Sequence, residues 1–486
     1  MPPVAWAAAL AAAFASLWVF RGALGYGFSQ DDFLGLARTM DLAPRLPFGW
    51  RWLSHQAYWD LVAGPLAGDA RAAHLVSLAL MASLAATLTV LLERRVGAAA
   101  ALVGGAFVAT HPAAFTAVHW AAANGDLAAS WLALVAFACL ASVRARAGAA
   151  PAFALALLAK ESVLTFPLAW LVARMLWPQG LGHAPFPWRD RAWWACVAVA
   201  LVAAVALVVG ARAGVGGEAY ALSPAAVGDN LLTYVGWATN RWFATVKGFG
   251  DAVDRAVFAW GGALLVFGAA GAALPAWRRT GVPAAAATLV VLLAPVLPLA
   301  HHTYHYYLVA AFPALGWLVA ALVAPAFARL PRTLGGAIAL GVATLCGLDG
   351  AALVAKVETV PFRYPELRAD PTVDRARIAA HALGDLQAAA LPAGTVLHMW
   401  SPQAQGMAVR EGGEPDSEGY YERNVRAALL DGLAVRVRVP AVDSVAFVRA
   451  FAPARADERW AVYRYDGHLR VLTAAELAQV IASAPR

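Results

Sequence analysis

The chain has 486 residues, 61% of them hydrophobic and 14% charged, too apolar for a soluble protein of ordinary make-up. Its formal charge of +7 would suit a nucleic-acid binder, but residues 1–356 hold 22 basic and 14 acidic side chains, whereas residues 357–486 hold 15 and 16. The excess therefore lies in the apolar region, where it sets membrane topology, and it argues against a nucleic-acid partner.

Taken in chain order, apolar runs between polar breaks predict about eleven spanning helices: 4–20, 72–92, 96–110, 127–143, 149–159, 162–177, 192–210, 257–275, 283–300, 306–324 and 334–353. The longer runs match a hydrocarbon core roughly 30 Å thick. Runs such as Leu75–Leu92 and Val282–Leu299 do not alternate as the strands of a transmembrane barrel would. Alternate turns carry Arg94 and Arg95, Arg144 and Arg146, Arg174 with Arg189 and Arg191, Arg278 and Arg279, and Arg329 and Arg332. The positive-inside rule makes those turns cytoplasmic and puts the N-terminus inside and the tail outside. The first run could instead be a cleaved signal peptide, but Met1-Pro2-Pro3 offers no basic n-region. Cys139, Cys196 and Cys346 all sit in apolar segments, so no disulfide framework or zinc cluster is expected in the tail.

After a linker marked by Pro361 and Pro365, residues 356–486 predict a small α/β domain outside the membrane. Helical patterns fall at 370–390, 420–432, 443–451 and 474–483, and strand-like runs at Thr395–Trp400, Val435–Val439, Trp460–Tyr465 and Leu469–Leu472. The fold class expected is an all-α polytopic membrane bundle over residues 1–355, with outer loops 21–71 and 211–256, carrying this domain. Both loops contain amphipathic stretches, Trp50–His55 and Trp237–Val246, suited to the membrane interface, and loop 211–256 is placed to cover a lipid-linked ligand.

Four polar clusters map to the outer ends of the predicted spans. Asp31-Asp32 is an adjacent carboxylate pair that suits a general base or a shared divalent cation, Mg or Mn; a solvated loop and helix cap over Phe33–Thr39 is the plainer alternative. His111-Pro112 leads to His119-Trp120 and Asn124-Gly125-Asp126, where caps explain Pro112 and Asp126 but not the histidines. Lys160-Glu161 ends the short 149–159 run; with only three lysines in the chain, an ammonium there suits a lipid phosphate, against the plainer reading of a neighbouring ion pair. His301-His302-Thr303-Tyr304-His305-Tyr306-Tyr307 reads either as an aromatic belt or, more weakly, as a metal site.

Together these residues resemble the GT-C class of polytopic glycosyltransferases, closest to the protein O-mannosyltransferase-like (glycosyltransferase family 39-like) and TMTC-like branches. Asp31-Asp32 stand where the family carries an acidic pair in its first outer loop. His111-Pro112, Val118-His119-Trp120 and Asp126 match its second loop, Leu158-Ala159-Lys160-Glu161 its Lys-Glu element, and His305-Tyr306-Tyr307 its Arg-Tyr-x-Tyr-like element. The resemblance covers roughly residues 1–350. Asn124 and His305 stand where many relatives carry Arg, which shifts phosphate binding towards Lys160, and no tetratricopeptide repeats follow the membrane part.

The resemblance implies transfer of a sugar from a polyprenyl-phosphate donor to an extracytoplasmic protein, lipid or polysaccharide acceptor, with inversion. Asp31 or Asp32 would be the base, Lys160 with His305 or Tyr306 would stabilise the leaving phosphate, and His111, His119, Asn124, Asp126, Glu161 and His302 would shape the substrate site. A lipid or solute transporter or flippase, and a non-catalytic envelope assembly protein, are the alternatives. Arg-over-Lys and Ala-rich usage point to a bacterial inner membrane with the outer loops in the periplasm.

Overall fold

The computed structural model describes residues 3–181, 186–212, 221–245, 251–271, 273–300, 302–359, 371–401, 420–453, 455, 458–464 and 466–483. It is mostly helical, with a small C-terminal sheet. Every apolar run of the sequence contains an α-helix: α1 (Pro3–Val19), α4 (Ala70–Val96), α5 (Ala98–Ala109), α7 (Asn124–Ala141), α8 (Ala149–Ala159), α9 (Phe166–Leu176), α10 (Arg191–Arg212), α12 (Asp251–Gly271), α14 (Val282–Leu293), α15 (Phe312–Phe327) and α16 (Arg332–Thr359). Between them lie α2 (Asp32–Thr39), α3 (Tyr58–Ala63), α6 (Phe115–His119), α11 (Ala226–Thr239) and α13 (Pro275–Thr280).

Five stretches among the described residues are long and apolar enough to cross a membrane: Ala70–Val96, Ala121–Ala141, Arg191–Val209, His305–Phe327 and Arg332–Thr359. A sixth is added if Ala98–Ala109 and Pro112–His119, bent by 44°, form one broken span. Pro112, which cannot donate to the preceding turn, marks that bend. Helices α5 and α15 touch backbone to backbone, since a Cβ on Gly104 would fall 2.3 Å from the Gly316 carbonyl oxygen. Small residues at such crossings let apolar helices gain dispersion contacts where lipid supplies no hydrophobic drive.

The arginine-bearing turns converge at one end of the bundle. Arg95 Nε donates to the Gly180 carbonyl (3.1 Å), Trp177 Nε1 to the Arg279 carbonyl (2.9 Å), and Arg146 pairs with Asp190 (3.7 Å). The chain direction carries the breaks at 110–123, 160–165 and 294–311 to the other end, where the helices stop and polar side chains collect.

After residue 371 the chain forms α17 (Pro371–Ala388), β1 (Thr395–Trp400), α18 (Tyr420–Ala428), α19 (Leu433–Arg438), β2 (Val442–Phe447), β3 (Arg459–Tyr463), β4 (Leu469–Thr473) and α20 (Ala474–Ser483). The sheet order is β2-β1-β3-β4; β1 is parallel to both neighbours, with Leu397 opposite Val445 and Arg459, and β4 is antiparallel to β3. Two expectations are corrected. Most of Val435–Val439, up to Arg438, is helical rather than extended, because Gly432 (φ +94°) turns the chain into α19, which buries Ala434, Val435 and Val437 together. Residues 443–451 are not a helix, because β2 takes the open edge of the sheet beside β1.

One face of this C-terminal region packs on itself, around Trp400, Trp460, Leu472 and Leu477, and the other does not. Phe33, Leu36, Trp59 and Val62 of the first outer loop share one apolar cluster with Ile378, Leu386, Leu397, Met399 and Val435. Arg438 ties the two parts further, donating to the Gly68 carbonyl (3.0 Å) and lying over the Phe28 ring. Pro361 and Pro365 of the expected linker lie outside the described residues, as does part of loop 211–256.

Candidate functional site

At the end of the bundle away from the arginine turns, an open cavity of roughly 390 Å³ is walled by six separate parts of the chain. Gln30 and Asp31 come from the turn before α2, and Arg51 and His55 from the loop before α3. Thr116 and Trp120 come from the broken segment after α5, and Lys160 from the break after α8. His302, Tyr304, Tyr306 and Tyr307 precede α15, and Thr372 and Arg375 lie on α17.

The two adjacent aspartates are divided by their surroundings. Asp32 is 1% exposed; its Oδ2 accepts from the Ser29 amide (2.9 Å) and its Oδ1 from the Ala122 amide (2.7 Å). Burial pushes its carboxyl up to about 8 against the pull of those two amides, with Asp31 adding to the rise. Asp32 therefore pins the acidic turn to the second outer segment. Asp31 is exposed to the cavity, whose walls raise its carboxyl by desolvation while Arg38, Arg375 and Arg51 oppose the rise. Each Asp32 oxygen thus accepts one backbone amide, whereas Asp31 faces the cavity. Among the described residues no group of three His, Cys, Asp or Glu side chains is placed to hold a metal ion.

Facing Asp31 are three cations. Lys160 Nζ binds Asp126 Oδ2 at 2.6 Å and lies 5.1 and 5.2 Å from the ring centres of Tyr306 and Tyr307. Arg51 grips Glu161 with two nitrogens, the Nε contact at 2.8 Å, while Trp50 Nε1 donates to the same carboxylate at 3.0 Å. Burial acts against Glu161's charge, but Arg51 and then Lys160 bring its carboxyl down to about 2. The third, Arg375, donates to Gln30 Oε1. Burial, with Lys160 and Arg51 nearby, lowers the His302 imidazole, and burial with Arg51, Lys160 and Arg38 brings His55 down to about 3. Neutral imidazoles therefore stand beside fixed cations and one carboxylate. Such a lining accepts an anion on one side and takes a proton on the other.

No protein-family model matches the chain, and no curated protein matches it in sequence.

Of the residues singled out in the sequence, Asp31, Lys160, His302 and Tyr306 line the cavity. Asn124, Asp126 and Glu161 do not line it; Asn124 is buried, and the other two hold the cavity cations. Three histidines expected to bind substrate do not reach it. His111 is buried between Phe107 and Phe312, its Nδ1 accepting from the Ala113 amide at 3.2 Å. His119 stacks on Phe115 at 3.9 Å and meets Glu358 through Nε2 at 3.1 Å. His305 is buried and packs on Trp237 at 3.9 Å. His301 lies outside the described residues.

The residues that sequence reasoning passed over are Arg51, His55, Gln30 and Arg375. Arg51 and His55 sit inside the aromatic stretch assigned to the membrane interface, and their mixed polarity was the available signal. Arg375 carries no local signal, since its place depends on how α17 docks. Together Arg51 and Arg375 supply fixed positive charge in a cavity where Asn124 and His305 supply none.

Proposed function

We propose that this chain is an integral-membrane glycosyltransferase of the GT-C kind, with eleven spans in the inner membrane of a bacterium and its cavity on the periplasmic side. It would transfer a sugar from a polyprenyl-phosphate donor to an extracytoplasmic acceptor. The observation that carries this reading is the opposition of one cavity-facing carboxylate, Asp31, to Lys160, Arg51 and Arg375 across a single pocket.

In this mechanism Asp31 removes the proton of the acceptor hydroxyl, whose oxygen attacks the anomeric carbon from the face opposite the phosphate. The bond from that carbon to the phosphate oxygen breaks, and polyprenyl phosphate leaves as an anion held by Lys160, Arg51 and Arg375. The proton taken by Asp31 passes to water through the open cavity. Asp32 holds the turn that aims Asp31 and takes no proton from the acceptor. A divalent cation, Mg or Mn, would meet Asp31 without Asp32.

The test is transfer from labelled polyprenyl-phosphate sugars to an envelope acceptor fraction by purified protein, beside its Asp31→Asn variant. Loss of a general base costs roughly 10²–10⁴ in rate, and that loss is expected in a variant that still inserts and unfolds like the parent. Full transfer by Asp31→Asn would remove the base from this position. No transfer or hydrolysis of any donor by the wild type, beside an active control enzyme, would turn the reading to lipid flipping.

A further inference from the structure

The cavity holds a neutral acceptor whose orientation is fixed by a buried hydrogen-bond chain. Helix α8 ends at Ala159, where carbonyls lose their intrahelical partners. Ser54 Oγ donates to the Ala159 carbonyl at 2.7 Å and lies 2.8 Å from His55 Nδ1. A hydroxyl has one proton. With that proton on the Ala159 carbonyl, which only accepts, His55 Nδ1 must carry its own hydrogen and donate it to Ser54 Oγ. The lone pair then belongs to Nε2, which has no hydrogen-bond partner among the described residues. Gly125 makes the chain possible, since a Cβ there would lie 3.0 Å from both Ser54 Cβ and the Ala159 oxygen.

His55 is thus an acceptor set among donors. Arg51 and Lys160, which influence its ring most closely, are the cations that would hold a phosphate. A ligand group reaching Nε2 must carry a hydrogen to donate, and it must lie close to the ligand's anionic group. On a glycosyl phosphate, the hydroxyl nearest the phosphate is the one on C2.

We propose that His55 contacts the donor sugar, accepting a hydrogen bond from its C2 hydroxyl through Nε2, so that the cavity selects phosphosugars bearing that hydroxyl. The inference rests on the glycosyl-phosphate reading of the cavity and deepens it. A site that pairs with a substrate hydroxyl binds the analogue lacking it less tightly, because that hydrogen bond is lost.

The experiment measures equilibrium binding, by calorimetry on the full-length protein in detergent, of glucose, mannose and galactose 1-phosphates, their 2-deoxy analogues and inorganic phosphate. The wild type is expected to bind at least one 1-phosphate roughly ten- to a hundredfold more tightly than its 2-deoxy analogue. His55→Phe should erase that difference while inorganic phosphate, which offers no C2 hydroxyl, still binds and reports an intact cavity. His55→Gln, whose amide oxygen reaches towards the position of Nε2, should restore part of it. Equal binding of 2-deoxy analogues by the wild type, or discrimination that survives His55→Phe, overturns the role of His55 and leaves the phosphosugar reading standing. Wild-type protein that binds inorganic phosphate but no 1-phosphate more tightly overturns both.

Discussion

Replacing Lys160 by methionine separates what the Lys160–Asp126 pair does for stability from what it does for function. The pair is 11% and 0% exposed at 2.6 Å, and the second oxygen of Asp126 has no hydrogen-bond partner among the described residues. Two unit charges at that distance attract by about 6 kcal/mol at an effective dielectric near 20, most of which offsets their desolvation. Lys160→Met keeps the length of the side chain but strands the Asp126 carboxylate, and breaking a buried pair this way costs about 3–5 kcal/mol. At roughly 2 °C per kcal/mol, the lower end for large domains, the variant should unfold about 6–10 °C below the wild type. Lys160→Met/Asp126→Leu removes both charges and should recover most of that loss, yet donor binding should stay weak because the cavity has still lost a cation. The assay is apparent unfolding temperature by tryptophan fluorescence at one fixed scan rate, so that any irreversible step weighs on every variant alike. A single variant within about 2 °C of wild type, or a double variant no more stable than the single, would refute the reasoning.

Two further outcomes follow from the same wall of the cavity. Glu161 is held at about 2 against an ordinary 4.5, so on acidification the unfolded chain takes up its proton first. Its contribution, at most about 3 kcal/mol, is complete above about pH 4.5 and disappears as the pH falls towards 2. Glu161→Gln should therefore lower the unfolding temperature at pH 6 and lower it by less than half as much at pH 3; an equal deficit at both values would show that Arg51 does not depend on the charge. Gly125→Val forces β-carbon bulk against Ser54 and the Ala159 carbonyl and should cost about 1–3 kcal/mol, read by the same thermal scan, whereas Gly148→Val, whose nearest neighbour is the Cys139 sulfur at 3.4 Å, should cost less.

The helices were legible because an apolar run flanked by arginine and proline has few other physical outcomes, and each of the eleven runs contains one. Asp31 and Lys160 were legible for a related reason: a charge at the end of such a run is costly, so it marks a place where something offsets the cost. Histidine is a weaker marker. His111, His119 and His305 suggest polar groups awaiting substrate, yet each packs against a ring or meets a carboxylate from a distant segment, Phe312, Glu358 and Trp237 among them. The Val-Arg-Val-Arg-Val stretch at 435–439 shows the limit of period-two reading in a short element: burial of Val435 beside Ala434 required a helical face. Arg375 was invisible because nothing near it in sequence encodes the docking of α17 over Gln30.

The shared core of the first outer loop and the C-terminal region bears on how the protein is made. Phe33, Leu36 and Trp59 emerge early in synthesis, while their covering residues from Ile378 to Val435 emerge near the end. Until the last part of the chain has been made, that face stands uncovered, open to chaperones and proteases. A chain interrupted after Thr359 would retain every predicted span and still carry this unsealed face, so cellular quality control should distinguish complete from incomplete chains by an apolar surface near the N-terminus rather than by any missing helix.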